Sequence, residues 1–236
     1  RIMAREVVNE IAHVHASPDV EALTPQRISA FYIPLALTSV IGMAVNPLFS
    51  FFMTRFPEVI ESMAVYPVID SFVFQFRSPA FAYQETVVAL ADRSTHARRT
   101  LRRFGYYLMF TTSGILGVLT LRPLLLHIYS VFPFTLSTEL SQFAIMPTAI
   151  LIVFPAFTVW TSYLRGLLIN RRFTRYVSTS TGVEVAAIFL CLLTLRWVGS
   201  VNGVTAVCMS VLAGRIVASL YLHYAVASSD SGESPA

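Results

Sequence analysis

Six long apolar stretches, each near the length that crosses a bilayer, constrain this chain more than any other feature. About 20 apolar residues span the hydrocarbon core. Within lipid every backbone N–H and C=O must find its partner inside the same segment or a closed barrel. Runs of this length therefore fold as helices. The stretches cover about Ile28 to Met53, Val59 to Leu90, Phe104 to Leu126, Phe143 to Ile169, Tyr176 to Trp197 and Val204 to Ala225. They use most of the 236 residues, so no soluble domain of any size remains. Composition agrees: 55% of residues are hydrophobic and only 13% are charged, against roughly 25% in a soluble domain.

The connecting loops alternate between arginine-rich and arginine-poor. One basic loop holds Arg93, Arg98, Arg99, Arg102 and Arg103, and the next holds Arg165, Arg171, Arg172 and Arg175. Thr54 to Glu61 holds only Arg55, His127 to Gln142 holds no arginine, and Arg196 alone borders the turn from Trp197 to Gly203. Cytoplasmic loops retain basic residues. The pattern predicts an all-α membrane protein of six transmembrane helices, with both termini and both arginine-rich loops in the cytoplasm. The plasma or inner membrane is the expected site.

The net charge of +4 comes from arginines in the loops that orientation requires, so it does not point to nucleic acid. Cys191 and Cys208 fall inside spans and read as free, packed thiols. Residues 1–24 form an amphipathic cytoplasmic segment, with Met3, Val7, Ile11 and Val14 on one helical face and Thr24-Pro25 opening the first span. Residues 25–227 make the transmembrane lobe, and 228–236 form a small, polar, acidic tail expected to be disordered.

Soluble-enzyme motifs are missing: the chain has no Walker A loop, no G-x-G-x-x-G, no H-E-x-x-H and no C-x-x-C. No catalytic or metal-binding role is assigned, and no cofactor. The informative residues are the ionisable ones inside spans. Each costs about 2.5–3.5 kcal/mol at a helix centre, so each calls for a partner or a water-filled cavity.

Glu184 and Arg215 lie at one depth on the fifth and sixth spans, which a short turn joins, and a Glu184–Arg215 pair follows. Such a pair either pins two helices or serves as a coupling charge. In the second span, Asp70 and Arg77 stand seven residues apart on nearly one helical face, and Glu85 follows two turns later. Pro67 and Pro79 bracket the charges, and broken helices of this kind recur at transport sites near the bilayer midplane. Asp70, Arg77 and Glu85 are the expected cavity lining. Ser210, Gly214 and Ala218 form a small-residue stripe that lets helices approach closely, as do Ser113 and Gly117.

The fourth to sixth spans resemble the final half of the MATE multidrug exporters and their wider superfamily of exporters and flippases. The likeness lies in Leu164-Arg165-Gly166 before a basic loop, then a span, then a Gly199 to Gly203 turn running into Val204-Thr205-Ala206. Phe31-Tyr32-Ile33-Pro34-Leu35-Ala36-Leu37 is similar to the Trp-Pro-Leu-Ala-Leu opening of the second half in the progressive ankylosis branch. Ala64-Val65-Tyr66-Pro67-Val68 is similar to its Ala-Thr-Tyr-Pro-Val segment, with Arg77 further along. Leu167-Leu168 stands where MATE exporters often carry glycine-aspartate, which weighs against multidrug export more than against the superfamily.

The resemblance implies a secondary transporter of two six-helix lobes that rock about a central cavity. By that comparison this chain is the second lobe, and residues 1–24 link it to a missing first lobe. If Met3 is instead the true start, a second copy would complete the pathway. The expected function is alternating-access transport of a small solute, leaning toward an anion because two arginines lie within the bundle. A lipid-linked sugar flippase, a cation-coupled drug exporter and a non-transporting membrane scaffold are the alternatives. Membrane lipid and a small-molecule or ionic substrate are the expected partners.

Overall fold

The computed structural model describes Met43 and residues 45–91, 95–130, 134–171, 173–199 and 201–230. The amphipathic segment 1–24 and most of the first span lie outside the described residues. Every regular element among those described is helical. We label them α1 (residues 45–53), α2 (Val59–Arg77), α3 (Pro79–Leu90), α4 (Thr95–Leu119), α5 (Arg122–Ser130), α6 (Thr138–Ile150), α7 (Phe154–Asn170), α8 (Thr174–Val198) and α9 (Gly203–Asp230).

Four stretches are long and apolar enough to cross a membrane: Val59–Leu90, Thr138–Asn170, Thr174–Val198 and Gly203–Ser229. A fifth crossing exists if the bent pair α4 and α5 is one span. The chain is thus a multi-pass membrane protein by the length and composition of its helices.

Two of these stretches are composite, and proline sets where they break. Pro79 cannot donate to the carbonyl of Gln75, and the Ser78 hydroxyl takes that place at 3.0 Å. The path from α2 to α3 therefore continues with little loss. Between α6 and α7 the chain tightens into a 3-10 turn, Leu151–Val153, just ahead of Pro155. The Phe154 N–H donates to the Leu151 carbonyl, the acceptor that Pro155 leaves without its usual helical donor.

The third predicted span, about Phe104 to Leu126, is bent: α4 ends at Leu119 and α5 leaves it at 80°. Pro123 explains the break, since its ring collides with the carbonyl four residues back and biases Arg122 away from helical geometry. The α5 arm buries Leu125 and Tyr129, and the Tyr129 hydroxyl meets the Thr148 hydroxyl at 2.8 Å.

Packing follows the small residues. A Cβ added at Gly214 would lie 2.5 Å from Ile188 Cγ1 and 2.9 Å from the Glu184 carbonyl oxygen, so α9 rests directly on the α8 backbone. Ser210 and Ala218, one turn away on each side, are fully buried. Gly166 does the same for α7 on α3, where a Cβ would lie 2.8 Å from Val87. Ser113 accepts a hydrogen bond from the Ala156 N–H at 3.1 Å, which ties α4 to the first turn of α7. The last helix runs through Asp230, past the expected tail boundary at Ser228, and Arg171 donates to the Ser229 hydroxyl at 2.7 Å.

Candidate functional site

The close approach at Gly214 dictates what happens to its neighbour. Arg215 is carried against α8, and its Nη2 meets Glu184 Oε1 at 3.0 Å. The predicted pair is therefore formed. Glu184 does not serve Arg215 alone, however. Arg165 approaches its other carboxylate oxygen, Oε2, at 3.4 Å and lies at the same distance from the Ser180 and Thr181 hydroxyls.

Arg165 is the cavity residue that sequence reasoning does not single out. Counted with the basic residues at the cytoplasmic end of the fourth span, it lies inside α7, which continues to Asn170. At 1.5 Å per residue it sits roughly 7 Å inside the helix end, and Glu184 sits roughly 15 Å inside the start of α8. An extended arginine side chain covers that difference. The signal was present in the next residue: Gly166 draws α7 tightly against α3, so that its end is packed rather than looped out.

On α2, Arg77 Nη2 meets Asp70 Oδ1 at 3.3 Å, as their spacing of two turns predicts. The ring of Phe154, at the start of α7, joins the two ion pairs. Arg215 stands 5.2 Å from its centroid and Arg77 stands 5.7 Å from it. Each such cation–π contact contributes about 0.5–2 kcal/mol, depending on desolvation. Arg77 also stands 5.1 Å from the centroid of the Phe74 ring.

These groups surround one cavity of about 350 Å³ bounded by α1, α2, α7, α8 and α9. Val45, Asn46 and Phe49 supply the α1 wall, and Tyr66 lies beside Asp70. Among the described residues that line it, three guanidinium groups face two carboxylates. The Nε–H groups of Arg77, Arg165 and Arg215 are all buried without a hydrogen-bond partner. A buried donor left unpaired costs about 1–3 kcal/mol, more when it is charged. Three guanidinium groups against two carboxylates give the cavity an excess of positive charge, which is electrostatically suited to an anion.

Glu85 does not join them. It is exposed on α3 and is not among the residues lining the cavity. Eight residues beyond Arg77 is an advance of about 80° around a helix of 3.6 residues per turn, which turns it away from the Asp70–Arg77 face. Cys208 is buried and Cys191 is partly buried, and both are free thiols.

No protein-family model, curated protein or solved structure matches the chain. The resemblance to MATE-like exporters rests on the short motifs of the sequence.

Proposed function

We propose that this chain is the transport lobe of a secondary active transporter that moves a small anion by alternating access. The observation that supports this reading best is the cavity within the bundle that three arginines and two carboxylates line. Here three arginines face two carboxylates around a space large enough for a phosphate or a small carboxylate. Arg77, Arg165 and Arg215 would contact the anion, while Asp70 and Glu184 hold the guanidinium groups in place.

Such a site suits exchange between ion-pair partners. When an anion enters, it competes with Glu184 and Asp70 for the arginines, and helix positions held by those pairs can shift. A second lobe or a second copy would complete the pathway, with the arginine-rich ends of the helices facing the cytoplasm. Membership of the MATE-like superfamily, nearest its progressive ankylosis branch, belongs to the same proposal.

The test is uptake or efflux of labelled phosphate and small di- and tricarboxylates by the purified protein in liposomes. The reading predicts that Arg77→Ala abolishes transport of every anion the wild type carries, while the variant still elutes as a monodisperse species. Unchanged transport in Arg77→Ala would remove the anion reading. Full tolerance of neutral replacements at Asp70, Arg77, Glu184 and Arg215 would favour a scaffold instead.

A further inference from the structure

A second cavity, of about 500 Å³, opens at the arginine-rich end of the bundle between α4, α7 and α9. Its rim carries Arg98, Arg99 and Arg102 from the start of α4 and His223 from α9. Its floor is aromatic and apolar, with Trp160, Tyr163 and Leu167 from α7. The Trp160 indole is fixed from three sides: its ring centroid lies 6.0 Å from Tyr106, 5.7 Å from Tyr163 and 6.1 Å from His223. The cavity is thus a rigid apolar cup with a cationic lip.

Arg99 and Arg102 are three residues apart on one helix, close enough to repel, and Arg103 adds to their charge. An anion held between Arg99 and Arg102 would relieve that repulsion.

The depth of the cavity suggests what carries that anion. Directly after the arginines, α4 exposes Phe104, Tyr107 and Phe110, and α9 exposes Leu220 and Tyr224 beside His223. Aromatic residues next to basic ones mark the boundary between headgroups and acyl chains. A ligand that fits must place a phosphate among the arginines and run hydrocarbon down an apolar helix surface.

We propose that this cavity binds the headgroup of an anionic glycerophospholipid from the leaflet at the arginine-rich end. The phosphate sits between Arg99 and Arg102, the glycerol backbone rests against Trp160, and the acyl chains follow the exposed faces of α4 and α9. Basic pockets between transmembrane helices recognise lipid phosphates in this way. The site is separate from the central cavity, and the inference does not depend on what that cavity carries.

The experiment is native mass spectrometry of the protein released from nanodiscs made of equal parts phosphatidylcholine and phosphatidylglycerol. The wild type should retain one phosphatidylglycerol in preference to phosphatidylcholine. The double variant R99Q/R102Q should retain it roughly tenfold less or weaker still, given that each arginine near a membrane surface adds to anionic-lipid binding. R103Q, which changes a neighbouring arginine that does not line the cavity, should retain the lipid and serves as the control for charge and folding. An equal loss in R103Q would overturn the proposal in favour of diffuse surface charge. Absence of any retained lipid in the wild type would also overturn it. Displacement of the lipid by inorganic phosphate at matching concentration would reassign the site to the free ion.

Discussion

Two groups of arginines among the described residues occupy contrasting settings, and the contrast separates structural charge from surface charge. Arg77, Arg165 and Arg215 lie within the bundle, each against a carboxylate and two of them against the Phe154 ring. Arg98, Arg99 and Arg102 lie at the end of the bundle, around an aromatic cup. The residue type is the same, but the surroundings are not. Inside the bundle, a guanidinium group without its carboxylate would be stranded, so structure and function are tied together at each position. At the boundary, water and lipid headgroups can solvate the charge, so recognition can vary with little effect on folding.

That difference can be broken most forcefully at Glu184. It is the shared partner of two arginines, so Glu184→Gln strands both. Removing one member of a buried pair costs about 3–5 kcal/mol. The variant should unfold at clearly lower detergent denaturant than wild type in an SDS titration. Adding Arg215→Gln to it should recover part of the loss, because one stranded charge is then removed. The coupling should fall within about 0.5–3 kcal/mol, and simple additivity would show that the two groups do not interact.

A smaller effect is expected where packing, not charge, holds the pair. Gly214→Val would drive a side chain into Ile188 and the Glu184 carbonyl, and overpacking of this kind costs about 1–3 kcal/mol. The same titration should show this loss, because separating α9 from α8 lengthens the Arg215–Glu184 contact. The smallest stability effect belongs to the boundary set. R99Q/R102Q should unfold within about 0.5 kcal/mol of wild type, as surface substitutions usually do. A large destabilisation there would erase the distinction between the two settings.

The parts of this architecture legible in the sequence were those governed by one-dimensional rules. Apolar length located Val59–Leu90, Thr138–Asn170, Thr174–Val198 and Gly203–Ser229 to within a few residues. Helical periodicity placed Asp70 beside Arg77, and equal depth on antiparallel neighbours placed Glu184 beside Arg215. The parts that were not legible depend on tertiary reach. Arg165 looked like loop charge because only the packing of α7 on α3 and α8 reveals that its side chain extends inward. Glu85 looked like cavity lining because periodicity was carried too far past Arg77, where the accumulated rotation takes it off that face. Pro123 was visible in the sequence, but hydropathy continued across it, and the 80° turn into α5 was averaged away.

The central claim is that the charged cavity is reached by water and solute, and cysteine accessibility tests it directly. In a protein with Cys191 and Cys208 replaced by serine, Val185→Cys would place a thiol on the cavity wall, and Leu190→Cys one on the exposed apolar face of the same helix. A charged, membrane-impermeant thiol reagent should label Val185→Cys, the transported anion should protect it, and Leu190→Cys should stay unlabelled. If Val185→Cys is unreactive from both sides of the membrane, the cavity is closed packing around structural ion pairs, and the transport account fails.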